Sequence, residues 1–321
     1  MTEKPRLSVV IPAYNERENI PVLVDRLKAA LGPTGDPYEL LFVDDRSTDG
    51  SSVLLQQLHT ADPRIKFLRF SRNFGHQIAT TAGMAAARGD YIVLIDADLQ
   101  DPPELIPAML ARAREGFDVV YMVRRRREGE GWFKRTTAAL YYRLLKRITS
   151  IDIPVNTGDF RILSRRMADH LNAMPEQHRY LRGLISWVGF AQTGMEYDRD
   201  ARYAGETKYP LPKMVRLALD GISGFSGAPL KLAMVLGFAT ALAGFLLGAY
   251  FLASKLMFEG PTVSGWLSTI IIVLFMGGVQ LITIGILGEY ILRIYTEAKR
   301  RPLYVIEEAA LGDSPQETKT L

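Results

Sequence analysis

Two long stretches of the chain carry no charged residue, and they constrain its fold more than any other feature. "LAMVLGFATALAGFLLGAYFLAS" runs from Leu232 to Ser254, and "PTVSGWLSTIIIVLFMGGVQLITIGILG" from Pro261 to Gly288. A helix of about 20 apolar residues crosses the hydrocarbon of a bilayer, so each stretch is long enough. The connector "KLMFEG" is short. A buried core hairpin is the alternative, but core helices seldom run this far without a charge. Two spans return the chain to the side it left. Lys213, Arg216 and Lys231 precede the first, and Arg293, Lys299, Arg300 and Arg301 follow the second. By the positive-inside rule, both termini are expected in the cytoplasm. The opening "MTEKPRLSVVIPAYNE" has no apolar run of the signal-peptide kind, which agrees.

The first two hundred residues follow a different pattern. "LSVVIPA", "YELLFVDD", "IKFLRF", "YIVLIDAD" and "FDVVYMV" have the short, β-branched character of strands. Three of them are almost wholly apolar, as central strands covered on both faces must be. Helical segments are expected between them, near 17–31, 50–60, 76–88 and 103–115. Strand–helix alternation of this kind predicts an α/β fold with a mostly parallel sheet. In such sheets ligands bind beyond the carboxyl ends of the strands. An α/β domain over 1–210, an interfacial helix over 211–230, a hairpin over 231–290 and a tail over 291–321 are expected.

"PAYNE", "VDDRS" and "DADLQDPPE" each follow a strand directly, so acidic residues gather on one rim. In the last, Asp96, Asp98, Asp101 and Glu104 lie within nine residues, where like charges raise one another's pKa. Asp101 precedes Pro102 and Pro103 and is expected to cap a helix. Asp96 and Asp98 have no such local use. One residue between two aspartates lets both approach one cation at a strand end. Their expected partner is a divalent metal carrying a nucleoside diphosphate. There is no cysteine, and the four histidines show no H-x-x-x-H spacing. An oxygen-ligated, hard cation, Mg²⁺ or Mn²⁺, is therefore expected rather than zinc. Asp44 and Asp45 could accept from a nucleobase N–H. Arg72 and Asn73 precede a helix N-terminus, a place suited to anions.

Together "PAYNE", "VDDRSTDG", "RNFGHQIA" and "DADLQDPPE" resemble the GT-A glycosyltransferases of family 2. The resemblance continues through "NTGDFRIL" and "RYAGETKYPLPKM" into the paired spans, over roughly residues 5–300. It is closer to the polyprenyl-phosphate glycosyltransferases, and within them to the bacterial undecaprenyl-phosphate glucosyltransferases. It implies a Rossmann-like GT-A domain plus two transmembrane helices in the inner (cytoplasmic) membrane. It implies that Pro12, Tyr14, Glu16, Asp44, Asp45, Arg72 and Asp96 hold the nucleoside, and that Asp98, Asp96 and Gln100 meet the metal. Arg124, Arg135, Arg202 and Lys208 would meet phosphate oxygens. Asp159, in "GDFR", aligns with a proposed catalytic base; with Asp96, Arg124 and Arg135 it forms the expected catalytic set. The expected partners are a nucleotide sugar, UDP-linked by resemblance, and a polyprenyl phosphate. Glucose is the first choice of sugar. Mannose from GDP-mannose, N-acetylglucosamine and a modified arabinose stay open.

Nine basic and two acidic residues lie between Arg124 and Arg147, interleaved with Trp132, Phe133, Leu140, Tyr141, Leu144 and Leu145. This segment is expected to lie on an anionic leaflet. No nucleic-acid-binding motif accompanies it, and a net charge of +4 does not suit a general polyanion binder. Gly237, Gly244, Gly248, Gly277, Gly278, Gly285 and Gly288 in the spans point to close helix packing and a homo-oligomer. Other classes would be a metal-dependent phosphohydrolase using the same acids, or a noncatalytic membrane scaffold. A processive synthase would carry more spans and a Q-x-x-R-W motif, which is absent.

Overall fold

The computed structural model describes residues 4–125, 154, 157–198, 226–257 and 266–312. Its contacts divide the chain into two units, one holding every strand and the other the apolar hairpin.

The first unit is built on an eight-stranded mixed sheet. β1 (Leu7–Ala13) and β2 (Tyr38–Asp44) are buried at every position, as their unbroken apolar runs require. β1 pairs in parallel with β2 on one side and with β4 (Tyr91–Leu94) on the other. β2 pairs in parallel with β3 (Ile65–Phe70). The chain therefore steps outward from β1 to β3 and then returns to the other side of β1. Such a reversal opens a crevice at the carboxyl ends of β1 and β4. Beyond β4 the sheet changes character. β6 (Thr157–Ser164) runs antiparallel between β4 and β5 (Val119–Arg124), and β7 (Gln192–Tyr197) pairs in parallel with β5. At the far edge, β8 (Ile306–Ala310) runs antiparallel to β3.

Helices cover the sheet. α1 (Asn19–Leu31) buries Ile20, Leu23, Val24, Leu27 and Leu31, an i, i+3, i+4, i+7 stripe. α2 spans Ser51–Ala61 and α3 His76–Ala86. α3 lies so close to β1 that a Cβ on Gly83 would stand 2.2 Å from a Val10 methyl carbon, so only glycine fits there. A 3₁₀ turn (Pro103–Leu105) leads into α4 (Ile106–Arg114). The side chain of Ser164 caps α5 (Arg165–Ala173) by accepting from the Met167 N–H, and α6 spans Leu181–Val188.

The second unit pairs α7 (Ala228–Met257) with α8 (Trp266–Ala298). Both are long and apolar enough to cross a membrane. Their large apolar side chains face outward: Phe238 and Leu281 are each 72% exposed. Within this unit the Tyr290 hydroxyl donates to the Ser226 carbonyl at 2.9 Å. A Cβ added at any of the seven glycines of these helices would meet open space. The sequence placed the end of the hairpin at residue 290 and left 291–321 as a tail. In the structure α8 runs on to Ala298, and β8 joins the sheet.

Candidate functional site

Three loops rise at the carboxyl ends of β1, β2 and β4, and each holds a non-glycine residue in the left-handed region. These are Asn15 (φ 55°), Arg46 (φ 65°) and Leu99 (φ 60°). Among the described non-glycine residues only Arg300 also has a positive φ. Such backbone costs on the order of 1 kcal/mol or more per residue and persists where its surroundings enforce it, commonly at functional sites.

The first two loops are sewn together. The Asn15 N–H donates to Ser47 Oγ at 2.9 Å, and its side-chain oxygen accepts the Thr48 N–H at 2.8 Å. Glu16 accepts from the Asn19 side-chain amide at 2.6 Å, and its own N–H donates to Ser51 Oγ. Pro12 is buried within β1, opposite Val43. Tyr14 stands exposed at the rim.

Asp44 and Asp45 have different surroundings. Asp44 is fully buried; it accepts the Ser47 N–H at 2.9 Å and the Ser52 hydroxyl, and Arg69 Nε lies 3.8 Å away. It shapes the turn from within. Asp45 reaches across to the loop before α3, accepting the Phe74 N–H at 2.6 Å and the Gly75 N–H at 2.9 Å. Gly75 has φ 99°, which lets that loop turn its amides toward the carboxylate. Burial raises the Asp45 carboxyl above its ordinary value despite these bonds. Each oxygen retains lone-pair capacity for a further donor. The Arg72 guanidinium lies 3.9 Å over the Phe74 ring, on the exposed side of the same loop.

The third loop carries the acidic run, and its four carboxylates have separate surroundings. Glu104 is held by Arg26 in a two-bond fork, both bonds at 2.8 Å. Asp101 does not cap the following turn, whose cap position is Pro102. It is fully buried and accepts the Tyr197 hydroxyl, which also receives Arg124 Nε at 3.4 Å. Burial raises the Tyr197 phenol well above its ordinary value, with Asp101 adding to the rise. The expected cap thus serves as a strut that holds Arg124 to the sheet. Asp98 accepts the Gln100 N–H at 3.2 Å around the strained Leu99.

Asp96 meets an array that the sequence did not reveal. The antiparallel insertion of β6 beside β4 brings Asp159 next to it. His76, the first residue of α3, stands 3.4 Å from both carboxylates. Arg182, in the first turn of α6, donates to Asp159 Oδ1 at 2.9 Å. The Gln77 amide nitrogen lies 3.5 Å from Asp159 Oδ2, and its oxygen accepts the Leu181 N–H, tying α6 to α3. Arg161 is buried beneath, 3.7 Å from Asp159 and bonded to the Gly158 carbonyl at 2.7 Å. The electrostatics follow. Burial opposes the charged imidazole of His76, but Asp96 and Asp159 outweigh it and raise its pKa to about 9. Burial raises Asp96 to about 6 even with His76 beside it. Burial also works against ionised Asp159, yet Arg182, His76 and Arg161 hold it well below the usual range. Burial lowers Arg161 to about 10.

Polar residues at 76 and 77 and the arginine in "GDFR" were visible in the sequence as motif members, but nothing in it paired them with Asp159. Arg182 and Tyr197 carried no signal at all. Arg135, Arg202, Lys208, the basic segment after Arg125 and most of the expected interfacial helix lie outside the described residues. Among the described residues, no three His, Cys, Asp or Glu side chains gather to enclose a metal. Asp96 and Asp98 supply an all-oxygen, two-carboxylate edge. Such a donor set fits a hard cation that takes its other ligands from a diphosphate.

Comparison with known proteins shows what the chain is similar to. Residues 8–171 match the family model described as glycosyl transferase family 2. Residues 228–294 match a model described as the GtrB C-terminal hairpin. The chain is 51% identical over 309 residues to the uncharacterized glycosyltransferase YkcC of Bacillus subtilis, covering 96% of this chain and 95% of that protein. It is 44% identical to an uncharacterized glycosyltransferase of Synechocystis, covering 94% of this chain and 95% of that one. It is 39% identical over 308 residues to the bactoprenol glucosyl transferase of Shigella phage SfII, covering 96% and 99%.

Proposed function

The chain belongs to glycosyl transferase family 2, and from that premise we propose that it transfers a hexose to the phosphate of a polyprenyl phosphate. The donor we favour is UDP-glucose and the acceptor undecaprenyl phosphate, with the product feeding cell-envelope glycosylation. The observation that carries this reading is the meeting, on one sheet rim, of the Asp96–Asp98 edge with the cation-framed Asp159. Relatives named as bactoprenol glucosyl transferases, and the apolar hairpin in the same chain, support a lipid acceptor. Two helices long and apolar enough to cross a membrane, with basic residues flanking them, support a location in the cytoplasmic membrane with both termini on the cytoplasmic side. Its open glycine faces leave room for self-association.

In this reading Tyr14, Pro12, Glu16, Asp45 and Arg72 surround the nucleoside, while buried Asp44 keeps their turn in shape. Asp96 faces the ribose and sugar. Asp98, with Asp96 and Gln100, holds a divalent cation. That cation, Mg²⁺ or Mn²⁺, would offset charge on the departing diphosphate. Arg124, braced by Tyr197 and Asp101, meets phosphate oxygens, with Arg135, Arg202 and Lys208 in the same role. The acceptor is a phosphate monoester with a second pKa of about 6, so it arrives largely ionised. A proton acceptor gains little there. A carboxylate held by Arg182 and His76 suits orientation better than proton removal. Asp159 therefore aligns acceptor or sugar while the phosphate oxygen attacks the anomeric carbon opposite the nucleotide. A single displacement inverts the configuration.

The test incubates the purified full chain with undecaprenyl phosphate and separately labelled UDP-glucose, UDP-N-acetylglucosamine, GDP-mannose and a UDP-linked aminoarabinose. Label from UDP-glucose should enter the lipid phase, and a chelator of divalent ions should stop it. Hydrolysis of phosphate esters with no label in lipid would overturn the reading.

A further inference from the structure

Strand β8 lies beyond both matched regions, yet it completes the sheet beside the rim. Without it β3 would present an open edge of unpaired backbone groups. β8 is firmly seated. The Tyr304 ring stacks on Phe70 at 5.2 Å and 21°, the Ser71 N–H donates to the Val305 carbonyl at 3.0 Å, and Ala309 and Ala310 are buried. Its register holds one irregularity. Phe67, Leu68 and Arg69 face Ala310, Ala309 and Glu308, but Phe70 faces Ile306. Glu307 is the extra residue of a β-bulge. A bulge breaks the alternation of side chains and re-aims the residue it adds, and bulges recur beside active sites.

Here the bulge turns Glu307 toward the loop after β2. Its carboxylate pairs with the guanidinium of Arg46 and lies 3.5 Å from Arg69 Nε. Arg69 Nε in turn lies 3.8 Å from Asp44. Charges of alternating sign therefore run from Asp44 through Arg69 and Glu307 to Arg46, leaving the turn at one residue and returning to it at another. Arg46 is the left-handed residue of that turn, a conformation a non-glycine side chain does not hold without outside support. The preceding residue, Asp45, belongs to the same turn and reaches from it to the Phe74 and Gly75 N–H groups.

We infer that β8 is a working part of the donor site. Glu307 is a positioning residue: it holds Arg46, and through it the turn over residues 44–48, in the shape that receives a nucleoside diphosphate. This rests on the donor reading above.

The experiment uses the full chain in detergent, with UDP and GDP as calorimetric probes and donor kinetics alongside. In Glu307→Gln the Kd for the bound nucleotide and the donor KM should rise about tenfold, near 1.4 kcal/mol. The kcat at saturating donor should change by less than about twofold, the pattern of lost binding rather than lost chemistry. In an Arg46→Gly background, where the turn is unstrained, Glu307→Gln should add nothing further. Glu308→Gln, whose partner is Gln56, should leave all values unchanged. A lower Tm with unchanged Kd and KM would reduce Glu307 to an edge-strand residue and overturn the inference alone. A wild-type chain that binds neither nucleotide overturns the donor reading, and this inference with it.

Discussion

Asp44–Asp45 and Asp96–Asp98 are two acidic pairs, each at the carboxyl end of a parallel strand, yet the fold treats them in opposite ways. The first pair is engaged. Ser47, Ser52, Phe74 and Gly75 supply backbone and hydroxyl donors to its oxygens. In the second pair Asp98 is buried, while Asp96 is partly buried beside His76 and raised by that burial to about 6. Donors that come from the chain build structure. Asp96 instead faces a titratable partner, His76, which it shares with the carboxylate of Asp159. Adjacent acids alone do not distinguish the two cases; the kind of group that faces them does.

One substitution, Asp→Asn, separates them. At Asp98 it keeps an oxygen for the Gln100 N–H and removes only the charge. Transfer to lipid should fall by roughly a thousandfold, since a lost charge-stabilising group at a reacting centre costs about 3–4 kcal/mol. The apparent Tm should move by no more than about 1–2 °C, because little folding energy is lost. Labelled-lipid assays and thermal melts on the same sample check both halves. Retained transfer after Asp98→Asn would mean that the second pair is as structural as the first.

At Asp45 the same change should act the other way round. The carboxylate satisfies two partly buried N–H groups, while a carboxamide presents one oxygen and one NH₂. One backbone donor is left facing another donor. That costs about 1–3 kcal/mol, or several degrees of apparent Tm in a chain of this size. Donor KM should rise with it, since the loop at 73–75 loses its anchor, and transfer should persist at saturating donor. A melt unchanged from wild type would show that Phe74 and Gly75 find other acceptors.

The sequence made one half of this contrast legible and hid the other. Strand ends are local facts: "LSVVIPA" and "IKFLRF" coincide with β1 and β3 residue for residue, because apolar runs and turn residues mark them. So the rim, the family and the two apolar helices could all be anticipated. Donors are non-local. Asp45 takes its own from residues 74 and 75, and Asp96 gains His76 and Asp159 only because β6 inserts antiparallel beside β4. No periodicity encodes that order. β8 was missed for a related reason. "VIEEAA" is short and half polar, and it becomes a strand only where β3 offers an edge.

The smallest effect sharpens the comparison at its margin. Glu104 shares the acidic run with Asp98 but stands in neither class: its fork to Arg26 is a surface ion pair, with side chains 30% and 53% exposed. Arg26 lowers its carboxyl from the ordinary value of 4.5. A carboxyl depressed on folding stabilises above that value and loses the contribution as pH falls through the folded one. Solvent screening reduces the pair to about 0.5 kcal/mol. Arg26→Ala should therefore lower the apparent Tm by no more than about 1–2 °C at pH 7. The deficit should vanish in acid below the glutamate range and shrink in high salt, with transfer unchanged throughout. A loss of transfer in Arg26→Ala would draw Glu104 into the rim's chemistry and blur the line between it and the Asp96–Asp98 pair.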